Sequence, residues 1–411
     1  MRARNVSQDD KKIHHENEEP KEESKEEVQK TSAFTFFMIY FVTGVNHGCM
    51  MIYLGMMPFL FKQYGMDPVN FGYVMSAMAF ATLCCSPILG RVADVMGSRT
   101  VFILCMLSSS LAHFTMATAT NITMLIVSRA LGLLMDCMAA AQMTVTDLAP
   151  EAERGRYLGK IMIPMSAGMI VGPTLGGFLS KIFGSQGTLF ITCMGPLVCI
   201  ALTLTFIPQQ KKEVAKAPTK KGGIDWQRLG ELLGKGDIPR LFILRVLSTL
   251  PGMLFMMNFQ LAGVTYFKLT PQGNGMIVSC LGVFNMVNNW FTLGFLAKYF
   301  TPNQLLKLAP VLSVATYLFL SQVTQVWQLV VMLYFVNLCY AIMENQVMTR
   351  LTKSVDSKDT STMVGIGTAL FHASRTISPT LGGILMQNYG FPAIGATGTL
   401  VSVLMAAAAL C

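Results

Sequence analysis

The sequence predicts an all-α membrane protein, with twelve transmembrane helices in two pseudo-symmetric six-helix bundles. Three observations carry this. The 411 residues are 52% hydrophobic and 13% charged, with a mean hydropathy of +0.50, too apolar for a soluble domain of this length. The run Pro173-Thr174-Leu175-Gly176-Gly177 returns at Pro379 through Gly383, 379 − 173 = 206 residues later, half the chain. Apolar stretches long enough to cross about 30 Å of hydrocarbon alternate with short polar connections throughout.

Each repeated pentamer sits inside an apolar stretch. Proline and paired glycine are costly in a helix interior in water. Membrane helices tolerate them, and small residues let two such helices approach closely. A recurrence at half the chain length implies two copies of one bundle, which is a transporter signature.

In chain order, residues 1–33 carry seven Lys/Arg against nine Asp/Glu. This composition predicts a disordered tail, and it lacks the apolar core of a signal peptide. Apolar segments follow near 34–61, 71–90, 100–119, 122–144, 158–180 and 187–207, which form a first bundle over 34–207. A polar linker over 208–239 separates them from 240–267, 274–297, 304–322, 326–348, 362–386 and 391–411, a second bundle over 240–411. In the linker Trp226, Leu229 and Leu233 share a helical face. They suit either a helix lying on an anionic membrane surface or an ordinary solvated connection.

Lys and Arg set the orientation. One set of alternate connections holds eighteen of them, while the opposite set holds Lys62, Lys181 and Lys268. Both termini and the linker are therefore expected in the cytosol. Asn121-Ile122-Thr123 then faces outward, in a turn too tight to lift the sequon clear of the bilayer. The positive net charge of +9 sits in membrane-flanking loops, so nucleic acid is not an expected partner. The ten cysteines lie within or at the end of apolar runs and read as small packing residues, with no disulfide or zinc spacing. No phosphate-cradling loop, nucleophile–base arrangement or metal cluster is legible. Neither an enzyme, an ATP-driven pump nor a cofactor is expected.

Ionisable and polar residues inside the membrane are the functional candidates. Arg129, Asp136 and Arg375 lie deep in their segments; Arg245 and Glu344 lie about a turn from an end, where snorkelling explains them. Asn46 and His47 are the polar pair of the first segment, and His113 reads as a packing histidine. Asn258, Gln260, Asn285, Asn288, Asn289 and Asn337 suit either a polar cavity or inter-helix glue. Arg129 and Asp136 are seven residues apart, within about 20° of one face of a regular helix and roughly 10 Å apart along it. They suit proton coupling, with Asp136 carrying the proton and Arg129 the fixed charge, or a static packing pair. Arg129 and Arg375 balance Asp136 and Glu344, so the sequence leaves the sign of substrate charge open.

Three stretches resemble the major facilitator superfamily. Gly90-Arg91-Val92-Ala93-Asp94-Val95-Met96-Gly97-Ser98-Arg99 is similar to its cytosolic gating loop, although Val95 and Ser98 stand where that pattern has other residues. Arg129, three residues before Gly132, is similar to its fourth-helix arginine motif. Gly168-Met169-Ile170-Val171-Gly172-Pro173-Thr174-Leu175-Gly176-Gly177 matches its fifth-helix antiporter pattern at every fixed position. Residues 147–156 resemble the connection that precedes it in drug:proton antiporters. The resemblance covers about 34–411 and implies a solute carrier working by alternating access. It implies a monomer that moves a small organic molecule in exchange for protons, with Asp94 latching the halves. In the second half Lys298 stands where Asp94 would, so one latch is expected. The first helix has no acid before Pro58, unlike many members. The alternative is a non-transporting membrane receptor or scaffold on the same fold.

Overall fold

The computed structural model describes residues 19–151, 153–209, 238–355 and 360–410, and every regular element among them is helical. The first half comprises α1 (Glu19–Gln63), α2 (Pro68–Met96), α3 (Ser98–Ala117), α4 (Ile122–Leu131), α5 (Met138–Leu148), α6 (Arg154–Lys160), α7 (Met162–Thr192) and α8 (Met194–Phe206). The second comprises α9 (Ile238–Thr265), α10 (Pro271–Val287), α11 (Leu293–Tyr299), α12 (Pro302–Leu320), α13 (Val326–Lys353), α14 (Thr360–Tyr389) and α15 (Pro392–Leu410). Among the described residues, ten runs are long and apolar enough to cross a membrane. One of them, Arg154–Phe206, has non-helical Gly184 (φ 72°) within it, and the 30-residue α14 lies outside the ten. The twelve expected segments correspond to these runs when Gly184 is counted as a turn and α14 as a span.

Two expectations change. The tail is helical from Glu19, while 1–18 lies outside the described residues, as does the linker with Trp226, Leu229 and Leu233. Lys21 through Lys30 is rich in good helix formers with Glu–Lys spacing of three and four, which favours helix despite its polarity. The expected turn over 91–99 shrinks to a single residue. Gly90 through Met96 stays helical, and only Gly97, at φ 87°, reverses the chain into α3.

Helix starts follow local chemistry. Asp67 and Thr270 cap α2 and α10 with side-chain oxygens, each followed by a proline at the first helical position. Asn121 is a cap as well, accepting from the Met124 amide at 2.9 Å.

The halves meet in a duplicated clasp. Pro173–Gly177 of α7 lies against the start of α10, and Pro379–Gly383 of α14 lies against the start of α2. A Cβ on Gly275 would fall 2.2 Å from the Pro173 carbonyl oxygen, and one on Gly72 would fall 2.5 Å from that of Pro379. Gly383 would meet the Pro68 carbonyl oxygen at 2.4 Å, and Gly177 the Gln272 Cα at 2.8 Å. Thr174 donates its amide (3.1 Å) and hydroxyl (2.8 Å) to Ser279 Oγ. Thr380 does the same to Ser76 Oγ, at 3.1 and 2.7 Å. Lys62 to the Val264 carbonyl (2.8 Å) and the Val69 amide to Gln387 (3.2 Å) add bonds between halves at this end.

The apolar core follows the same division. Tyr53, Phe61, Phe71, Phe255, Phe259 and Phe391 belong to one cluster shared by both halves at the Lys62 end. Toward the Asp94 end the clusters separate, with Phe102, Ala141 and Val145 in the first half and Leu244, Leu306 and Ile342 in the second. There a Cβ on Gly90, Gly294 or Gly365 would meet nothing within 4 Å. The molecule is closed at the Lys62 end.

Candidate functional site

The fourth apolar run is not one regular helix. After α4 ends at Leu131 the chain makes a 3-10 turn over Gly132–Leu134, passes through 135–137 outside any regular helix and resumes as α5 at Met138. Irregular backbone at membrane depth requires partners for its freed carbonyls. Ser108 Oγ donates to the Leu131 carbonyl. Asn46 Nδ2, from buried α1, donates to the Met135 carbonyl at 3.2 Å and contacts Cys137 Sγ at 2.8 Å.

Asp136 lies between those two anchors and is exposed. Its Oδ1 accepts from the Met138 amide at 3.0 Å, placing a carboxylate at the start of α5, where the helix dipole favours it. His47 is next to Asn46 on α1, and the Asn46 side chain anchors the residues on either side of Asp136. Asn46 and His47 therefore stand near Asp136, although the membrane-crossing part of α1, Ala33–Gln63, carries no acid.

The interruption lies between Arg129 and Asp136, and no ion pair joins them. The Arg129 guanidinium lies 5.8 Å from the centre of the Tyr53 ring and 3.7 Å from Met135 Sδ, and its Nε is buried without a hydrogen-bond partner. Tyr53 in turn shares a hydrogen bond with Ser128 at 3.0 Å. Arg129 makes no ion pair among the described residues. A partly buried guanidinium over an aromatic face, with a buried donor unspent, is a positive charge that an acceptor group would stabilise.

In the second half the snorkelling expectation is overturned for Arg245. Arg245 is 2% exposed and forms an ion pair with Glu344, reaching from α9 to α13, and its Nε donates to the Gly367 carbonyl of α14 at 3.3 Å. Snorkelling requires a free path to water, and packing against α13 and α14 closes it. Arg375 sits on the face of α14 that carries Ser378 and Gly382, a turn beyond the clasp toward the Asp94 end. It is half-buried, beside His372, and unpaired among the described residues.

The amides divide. Asn258 bonds the Leu254 and Ser378 carbonyls at 2.8 and 3.1 Å, so it is glue between α9 and α14. Asn288 donates to Asn337 at 2.9 Å from a π-turn over Asn288–Thr292 and keeps a buried unpaired oxygen. His113 has carbonyl partners at both ring nitrogens, Ser109 at 2.7 Å and Cys49 at 2.9 Å, as a packing residue would.

The motif glycines are packing devices. Gly168, Gly172 and Gly176 form one face of α7 against Gly44, Gly48 and Ile52 of α1, where added Cβ atoms would fall 2.5–2.7 Å from the nearest atoms. Arg99, expected near Asp94, donates to the Leu204 carbonyl at 2.6 Å and so caps the end of α8. Asp94 itself is exposed. Sequence reasoning missed Tyr53, Met135 and Cys137. Tyr53 stands seven residues after Asn46, on the same face of α1, which was the available signal.

A helical membrane bundle with a duplicated clasp and a polar, interrupted helix is now in view, and the sequence profile of the Major Facilitator Superfamily matches residues 37–365. The chain belongs to the Major Facilitator Superfamily. Human solute carrier family 67 member A1 is 28% identical over 382 residues, with 90% of each chain covered. Multidrug resistance protein MdtG of Enterobacter lignolyticus is 25% identical over 366 residues, covering 86% of this chain and 85% of its own. Among solved structures, a point mutant of the nucleoside transporter NupG superposes with a TM-score of 0.73 at 16% identity, covering 92% of this chain and 99% of that one. The human organic anion transporter MFSD10 gives 0.63 at 15% identity, with 92% and 99% covered. The fold is that of membrane transporters rather than of enzymes.

Proposed function

We propose that this chain is a secondary carrier that moves a small organic solute by alternating access in exchange for protons. The observation that carries this reading is the interrupted fourth helix, which presents exposed Asp136 beside His47 and an unpaired Arg129. Discontinuous helices at membrane depth are where transporters build their sites. Asp136 carries the proton and Arg129 is the constant charge. Asn46 holds the interruption in shape. Arg375 completes the charged set, while Glu344 is held by Arg245. With both termini and the 208–239 linker in the cytosol, the present closure at the Lys62 end makes this the inward-facing state, and the bundles over 34–207 and 240–411 rock about the clasp. Gly90, Asp94, Gly97 and Arg99 form the cytosolic gate that closes in the opposite state. Gly168, Gly172, Pro173, Gly176 and Gly177 let α7 slide between α1 and α10.

The test is flux in vesicles containing the purified chain. A panel of organic anions, cations and neutral compounds should include a solute accumulated under a pH gradient and collapsed by a protonophore. Absence of flux above empty vesicles across the panel would sink the carrier reading and favour a receptor or scaffold.

A further inference from the structure

The charge balance of the site changes once its partners are known. By sequence, two arginines face two acids. In the structure Glu344 is neutralised by Arg245, a residue outside that balance, through an ion pair whose guanidinium is almost wholly buried. That leaves Arg129 and Arg375 against Asp136 alone, 2 − 1 = +1. Neither arginine is ion-paired among the described residues, and Arg129 keeps a buried Nε–H with no acceptor. A guanidinium in a bundle of low polarity is costly unless something neutralises it. Arg375 stands one helical turn from Pro379 of the clasp on α14, half-buried, and Arg129 lies against Tyr53 in the first half.

We infer that the transported solute is an organic anion, carrying a carboxylate, sulfonate or phosphate group that Arg375 and Arg129 neutralise. The inference rests on the carrier reading above. Guanidinium presents a planar fork that matches such groups with two parallel hydrogen bonds, which an ammonium does not. Asp136 then opposes anion binding whenever it is ionised, so the solute and the ionised carboxylate compete for the same positive field. A cationic solute would meet the reverse arrangement, two repelling charges and one attracting.

The experiment uses the full chain in vesicles and in detergent. The probes are aromatic compounds in matched series that differ only in one group: carboxylate, phosphate ester, carboxamide and ammonium. The expected result is counterflow of the anionic members, with the amide and ammonium members at the level of empty vesicles. Arg375→Gln should weaken anion binding by roughly 10- to 100-fold, and Arg375→Lys should recover only part of it, because an ammonium lacks the fork. Asp136→Asn should strengthen equilibrium binding of the anion, by roughly tenfold for a charge about 10 Å away at intermediate dielectric. That gain of function cannot come from misfolding. Counterflow confined to ammonium or amide members would overturn the anion assignment and leave the carrier reading standing. So would an Asp136→Asn variant that binds the anion more weakly than the parent protein. No flux with any member would overturn the carrier reading and this inference with it.

Discussion

Adding one methyl group to the clasp should unlatch it. A Cβ on Gly275 would stand 2.2 Å from the Pro173 carbonyl oxygen, whereas ordinary contact begins at 3.4 Å, so 3.4 − 2.2 = 1.2 Å of separation is required between α10 and α7. The obstructing atom is backbone, which cannot swing aside as a side chain would. On the other copy Gly383→Ala demands 3.4 − 2.4 = 1.0 Å between α14 and α2. Overpacking of this kind costs about 1–3 kcal/mol, which changes a two-state population by roughly 5- to 150-fold. The penalty falls only on the state in which these helices touch, so Gly275→Ala should shift the molecule toward opening at the Lys62 end. Spin labels at positions 65 and 268, in a cysteine-free background, would read this as a longer inter-label distance with a new population. Gly294→Ala is the control, because its Cβ would meet nothing within 4 Å. An unchanged distance distribution in Gly275→Ala, with unchanged transport, would refute the claim that this contact holds the closed state.

Other outcomes follow from the site. Asn46→Ala removes the donor to the Met135 carbonyl and the contact to Cys137; the expected loss is about 1–3 kcal/mol, with faster alkylation of Cys137, and unaltered melting and reactivity would show that the interruption needs no such anchor. Glu344→Gln strands the buried Arg245 charge and should cost about 3–5 kcal/mol in thermal stability, part of it recovered in the Arg245→Gln, Glu344→Gln double variant. Asp136→Asn should retain exchange at equal pH while losing accumulation driven by a gradient, and normal accumulation would remove Asp136 from the coupling. Asp94→Asn should enrich the state closed at the Lys62 end and slow turnover more than it weakens binding, and unaltered conformer populations would argue against the latch.

Much of the fold was legible because it is written in composition and repetition. The pentamer at 173 and 379 located the clasp, yet half of the clasp went unread. Its receiving surface is also a repeat: Pro68, Gly72 and Ser76 return as Pro271, Gly275 and Ser279, each 203 residues later. Proline, glycine and serine at intervals of four do not stand out among common membrane residues until the structure shows Ser76 and Ser279 accepting from Thr380 and Thr174. The site was harder for a different reason. The residues were found, since Asn46, His47, Arg129 and Asp136 are polar where polarity is expensive. Their geometry was not, because a regular helix was the natural assumption for 122–144. Gly132 alone gave little warning that the backbone would loosen over the next five residues. Arg245 and Glu344 were misplaced because distance from a helix end, counted along one helix, says nothing about the neighbouring helices that bury it.

The two halves therefore share a closing device but not a chemistry. The clasp exists in two copies, with the same small residues and the same threonine-to-serine bonds, so opening at the Lys62 end must break both together. The charged groups are not duplicated in this way. The first half interrupts its fourth helix and leaves Asp136 and Arg129 unpaired with each other, while the second keeps α13 continuous, binds Arg245 and Glu344 into a pair and leaves Arg375 without an ion pair among the described residues. An unsatisfied charge is what a ligand or a proton can act on, and a satisfied one holds helices in register. On that division Asp136, Arg129 and Arg375 are the groups a ligand or a proton would act on, the Arg245–Glu344 pair supports, and the duplicated clasp couples the halves.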